Sequence, residues 1–281
     1  MTPLVMGIVN VTPDSFSDGG RFLDTDRAIA RGLELVAQGA DLLDVGGEST
    51  RPGAQRVAPE VEQGRVIPVI RALAQAGAAV SVDTMNASTA VAAVEAGARI
   101  VNDVSGGLAD PAMLAAIAPT GADVVLQHWR GASSDMYARA DYDDIVREVA
   151  DELARRIEAA SAAGIPSERV ITDPGIGFGK RGEQNWQVLR GLDRIAALGP
   201  RVLVGTSRKR LLVETLGPDS DEVDTTSERR RDLATAVTSV LAGQAGAWGV
   251  RVHDVAATRD ALRIADAWRG DGRWTVSTRS A

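Results

Sequence analysis

The chain contains no cysteine, which excludes disulfides and every thiolate mechanism, and the absence fits a reducing compartment. Histidine is scarce too, with only His128 and His253 in 281 residues. No apolar stretch approaches the roughly 20 residues that a membrane helix needs. No basic segment followed by an apolar run opens the chain. The expectation is a cytoplasmic protein with no membrane partner. Basic charge is not in excess either: 31 Lys and Arg face 38 Asp and Glu, a formal net charge of -7. A general nucleic-acid binder needs a basic face to displace counterions from phosphate, so nucleic acid is not an expected partner. An anionic ligand would have to be met by a local cluster of Arg, Lys and amide donors. Nothing matches a Walker P-loop. The string DPGIGFGK at 173–180 lacks the GxGxxG spacing and the downstream acidic residue of a dinucleotide site.

What is present is ordinary globular composition, 44% hydrophobic and 25% charged, at a length suited to one large α/β domain. Short β-branched or apolar runs at 5–9, 42–45, 79–82, 99–101, 124–126, 170–172, 202–204 and 249–252 alternate with Ala-rich helical patterns. Examples of the latter are 26–38, 87–96, 144–163 and 184–198, and Gly39, Gly97 and Gly164 mark helix ends. Eight strand–helix units imply right-handed crossovers and parallel strands, and predict a single (β/α)8 TIM barrel over 1–270. Residues 271–281 read as a loosely ordered tail. The charged stretch 217–231, with Asp219, Asp221, Glu222 and Asp224 before Arg229, Arg230 and Arg231, reads as a solvated loop. It runs into a helix whose start is marked by Thr225 and Glu228 at capping-box spacing.

Active sites of such barrels are built at the carboxyl ends of the strands, and here those ends are polar. They carry Asn10, Asp44, Asp83, Asn102 with Asp103, His128, Asp173, the run Ser207, Arg208 and Lys209, and Arg251 with His253. One such residue is easily a cap or a loop hydrogen bond, but eight polar strand ends are poorly explained that way. Asp83, Asn102 and Asp173 suit a flat ligand rich in ring N–H groups, because a carboxylate accepts paired hydrogen bonds from an amidine edge. Arg51, Arg251, His253 and Lys209 supply donors and positive charge for an anion. No Ser/His/Asp set emerges, so a covalent mechanism is not indicated. The loops at 10–20 and 46–54 carry glycine hinges and have the character of lids.

Several strings in this order resemble the dihydropteroate synthase family: MGIVNVTPDSFSDGG at 6–20, DVGGESTRPGA at 44–54, SVDT at 81–84 and VNDVSGG at 101–107. DPGIGFGK at 173–180, GTSRK at 205–209 and VRVHDV at 250–255 continue the match. The resemblance implies transfer of a dihydropterin methylene carbon from diphosphate to the amine of p-aminobenzoate, with Mg2+ as cofactor, in a homodimer that sulfonamides inhibit. It implies a pterin-binding set of Asp83, Asn102, Asp173 and Lys209, and a diphosphate-binding set of Asn10, Arg51, Arg251 and His253. Asn10 would lie at the magnesium. Phe16, Thr50, Arg51 and Pro52 would wall the aminobenzoate site. Asp18, Lys209, Arg251 and His253 would form the catalytic group, with Asp18 helping to hold the developing cation. Gln127 departs from the family, many of whose members carry methionine beside the strand-five histidine. Rival readings are a catalytically silent pterin-binding copy, a corrinoid-linked methyltransferase barrel that lacks the ESTRPG and VHD strings, and a Schiff-base lyase, which would need a lysine on a strand.

Overall fold

The computed structural model describes residues 2–12, 21–48, 56–131, 137–217 and 226–271. Eight parallel strands close into a barrel in chain order. They are β1 (Leu4–Asn10), β2 (Leu42–Gly46), β3 (Val80–Asp83), β4 (Ile100–Asp103), β5 (Asp123–Gln127), β6 (Val170–Asp173), β7 (Arg201–Val204) and β8 (Gly249–Val252). The helices are α1 (Arg21–Ala37), α2 (Pro59–Gln75), α3 (Ala87–Glu95), α4 (Met113–Ile117), α5 (Ile145–Ala162), α6 (Glu183–Arg190), α7 (Leu192–Ala196), α8 (Arg210–Leu216), α9 (Glu228–Gln244) and α10 (Val255–Trp268). The (β/α)8 TIM barrel expected from the alternation is the fold. Several strands run one or two residues beyond the apolar runs that announce them, ending in Asn10, Asp83, Asp103, Gln127 and Asp173. The apolar pattern stops early because the inward positions near the barrel mouth are polar.

Side-chain alternation divides the core in two. Outward residues such as Val5, Val9, Leu43, Val45, Val82, Val101, Val124, Leu126 and Val250 pack under the helices. Inward residues Met6, Leu42, Ile100, Val125, Ile171 and Leu203 plug the barrel interior. The helical pattern over 184–198 proves to be two helices, α6 and α7, parted at Gly191. A Cβ at Gly191 would stand 2.5 Å from Val146 Cγ1 of α5, so a tertiary contact sets the break. The capping-box reading of Thr225 is also corrected. Helix α9 starts at Glu228, and Ser227 is its cap, accepting from the Arg230 N–H. Residues 218–225 and the tail from 272 lie outside the described residues. Arg230 and Arg231 donate to the carbonyls of Leu216 and Thr226 on either side of that gap, in keeping with the structural reading of the arginine run.

Candidate active site

Two residues beyond each member of the plug, the same inward face presents Ile8, Asp44, Asn102, Gln127, Asp173 and Gly205. β3 adds Asp83, and β8 adds Arg251 after Gly249. The expected Asp83, Asn102 and Asp173 therefore face one another across the mouth, and all three are buried. Asp44 joins them: its Oδ2 accepts from Asn102 Nδ2 at 2.9 Å and from Arg251 Nε at 2.6 Å, while its Oδ1 is buried with no partner. Arg251 also donates to Asp83 Oδ2 at 2.8 Å. The guanidinium assigned to an anion is thus built into the acidic floor. Two carboxylates that close need a cation between them, and Arg251 supplies it.

Burial dominates the titration of this floor. It pushes Asp83 up to about 7, against the pull of Arg251, and it raises Asp173, against Lys209 and the Gly175 N–H. Lys209 is pulled down to about 8 by loss of water, although Asp173 opposes the shift. Its ammonium donates to the Ile176 carbonyl and lies 4.9 Å from the centre of the Phe178 ring. Lys209 reaches the pocket because Arg208 takes a left-handed backbone conformation, φ 57°. Arg208 itself turns away to a bidentate pair with Asp232 of α9 at 2.7 and 2.8 Å, so it leaves the mouth set.

His253 follows β8, and its Nδ1 lies 2.9 Å from Ser207 Oγ, which also accepts the His253 backbone N–H at 3.0 Å. Ser207 thereby fixes which edge of the imidazole turns away from it. Asn10 ends β1 beside Gly46 and is exposed. His128 does not face the mouth. It is buried, 2.9 Å from Lys180 Nζ through Nδ1, and burial followed by the Lys180 charge holds its ring down at about 4. Strand alternation makes Gln127 the inward residue of β5, with its Nε2 donating to the Val104 carbonyl at 3.2 Å. Asp44 and Ser207 stood among the polar strand ends in the sequence but were given no role there, and Lys180 was not singled out. Counting by twos from the plug gives Asp44 its place on the floor, whereas the Ser207 contact to His253 and the burial of Lys180 have no local signal. Phe16, Asp18, Thr50, Arg51 and Pro52 lie outside the described residues, as do the central parts of both expected lids.

Chemically, the arrangement is an acidic, carboxamide-bearing floor with cationic and imidazole donors at its edge. Residues 6–253 match the family described as pterin binding enzyme. The dihydropteroate synthase of Mycobacterium leprae is 50% identical over 265 residues, which is 94% of this chain and 93% of that one. The Xanthomonas albilineans dihydropteroate synthase with 4-aminobenzoic acid superposes with a TM-score of 0.87 at 48% identity, covering 95% of this chain and 93% of that one. The Yersinia pestis dihydropteroate synthase in a sulfonamide drug complex gives 0.87 at 38% identity, over 96% and 95% of the two chains.

Proposed function

The chain belongs to the dihydropteroate synthase family of pterin binding enzymes, and from that membership we propose the reaction it catalyses. It condenses 6-hydroxymethyl-7,8-dihydropterin diphosphate with p-aminobenzoate, giving 7,8-dihydropteroate and pyrophosphate in folate biosynthesis. The observation that carries this reading is the convergence of Asp44, Asp83, Asn102 and Asp173 inside the barrel mouth. Carboxylates and a carboxamide at that depth are matched by the N–H-rich edge of a pterin, and the unpartnered Asp44 Oδ1 is an acceptor that such an edge can meet.

The bond that breaks joins the pterin methylene carbon to a diphosphate oxygen, and the bond that forms joins that carbon to the arylamine nitrogen, which loses a proton. An arylamine is a weak nucleophile, so the protein gains most by easing departure of the diphosphate. His253, Lys209 and the Nη1 of Arg251, whose Nε and Nη2 are held by Asp44 and Asp83, provide the positive and N–H-donating groups for that end, while the buried carboxylates favour the electron-poor ring left behind. A Mg2+ ion fits the donors present only in part. Asn10 offers an exposed amide oxygen, and no cluster of three or more His, Cys, Asp or Glu stands among the described residues. Magnesium keeps several waters and is commonly shared with substrate phosphates, so one protein oxygen suffices beside the diphosphate. When bound, it neutralises charge on the leaving group. Phe16, Asp18, Thr50, Arg51 and Pro52 complete this reading as the aminobenzoate and loop residues.

A homodimer is part of the proposal. Leu233, Val237 and Leu241 stand exposed at four-residue spacing on α9, and Ile264 and Trp268 do so on α10, which packs beside it. Exposed apolar rows on two packed helices favour a self-complementary interface. The cytoplasmic reading is supported by the lack of cysteine, and no described helix is long and apolar enough to cross a membrane. A pyrophosphate-release assay with both substrates and magnesium tests the function: turnover is expected, with sulfonamides competing against p-aminobenzoate. Pterin binding without pyrophosphate release would instead identify a silent copy.

A further inference from the structure

The loop after β6 carries Gly175, Gly177 and Gly179 at φ 66°, 80° and 60°. Glycine takes this conformation without steric cost but loses the most entropy on being ordered, and it has no side chain to pack. Polar groups do the ordering. Asp173 Oδ1 accepts the Gly175 N–H at 2.7 Å, Asn185 Oδ1 accepts that of Gly177 at 2.7 Å, and Tyr142 Oη donates to the Gly179 carbonyl at 2.8 Å. Two ammonium groups take three further carbonyls. Lys209 donates to Ile176 from the pocket side, and Lys180 donates to Gly175 at 2.9 Å and to Phe178 at 3.1 Å.

Among the described residues, Lys180 is the bulkiest of the fully buried side chains. A buried ammonium is costly unless its protons are met, and here they are met by two carbonyls and by His128 Nδ1 at 2.9 Å, with no ion pair to a carboxylate among the described residues. Negative charge is nearest on Asp173 and on Glu152, whose Oε2 lies 2.9 Å from His128 Nε2 without a well-aligned hydrogen bond. A methionine would fill the same space at lower electrostatic cost, so packing alone does not account for a lysine. Gly175 is the link: its N–H is held by Asp173, and its carbonyl accepts from both Lys180 and the Phe178 N–H at 3.0 Å.

Resting on the pterin reading of this site, we infer that Lys180 is a positioning residue for ring binding. It holds residues 175–179 in the shape that keeps the Asp173 carboxylate oriented into the barrel and presents the Ile176 carbonyl to Lys209. It touches neither substrate. Lys180→Met removes the donors and keeps the volume. In that variant the calorimetric dissociation constant for phosphate-free 6-hydroxymethylpterin should rise about tenfold or more, as expected when the ammonium that ties the Gly175 and Phe178 carbonyls together is removed from a buried site. The KM for the pterin diphosphate should rise with it, while the KM for p-aminobenzoate stays within about twofold, since the loop contacts only the ring end by this geometry. Should Lys180→Met fail to fold, Lys180→Gln, which keeps an amide donor, is measured instead and should lose ring affinity severalfold. A folded variant of either kind that binds the ring with wild-type affinity overturns the proposal, even with a lowered melting temperature. So does an equal rise in both KM values. A wild-type protein that binds no pterin would overturn the function itself, and this role with it.

Discussion

Asp83 concentrates the conflict between stability and binding at the scale of one residue. Its carboxyl holds a proton more tightly in the folded protein than in the unfolded chain, because burial raises it to about 7. The ionised form therefore detracts from stability increasingly as pH rises from about 4 to about 7, through the interval between the two values. Pterin binding, by contrast, needs the carboxylate as acceptor. Affinity for a phosphate-free pterin should fall as pH drops from about 8 to 6, following the protonation of Asp83. Asp83→Asn should lose that dependence and weaken binding by about 1–3 kcal/mol, since it turns a donor toward ring donors. Its melting temperature at neutral pH should hold or rise. Calorimetry across pH and a thermal melt read all three, and a variant several degrees less stable would refute the account. The positions of Asp83, Asn102 and Asp173 were legible in the sequence because each ends an apolar run. The Arg251 attachment to Asp44 and Asp83 was not, because 207 and 168 residues separate the partners.

At the scale of elements, glycines with similar backbone angles have different reasons to be there. Gly164 ends α5 at φ 91°, and a Cβ there meets nothing within 4 Å. Gly175 has φ 66°, and its Cβ would stand 2.3 Å from the His128 carbonyl oxygen. Gly164→Ala should cost only the left-handed backbone penalty, about 1–2 kcal/mol. Gly175→Ala should cost clearly more and weaken pterin binding as well, because the Gly175 N–H is bonded to Asp173. Denaturant unfolding of the two variants, paired with pterin titration, makes the comparison. Equal stability losses would show that the loop yields to the added methyl group. Helix-ending glycines were read correctly from sequence at Gly39, Gly97 and Gly164. The break at Gly191 was missed, since it depends on the Val146 side chain of another helix.

For the whole molecule, the exposed apolar rows on α9 and α10 make a prediction about assembly. Trp268 is 91% exposed and Leu233 65%, large apolar side chains that a partner surface would cover. Sedimentation velocity should give a dimer for the wild type. Val237→Glu, at the middle of the α9 row, should shift it toward monomer while leaving pterin affinity unchanged, because α9 lies outside the barrel. A wild type that sediments as a monomer at micromolar concentration would sink the idea.

The sequence by itself determined the short apolar strands, the helices between them, the closed barrel they imply and the polar strand ends gathered at one rim. These follow from local patterning and from the few ways eight such units can bury their apolar faces. Only the tertiary structure decided which neighbours each polar group would meet. It turned His128 away from the mouth onto Lys180, set Ser207 against His253, and sent Arg208 to Asp232. Those pairings join residues 24 to 52 positions apart. The physical reason is that a hydrogen bond depends on a few tenths of an ångström and on direction, and closure of the barrel fixes both.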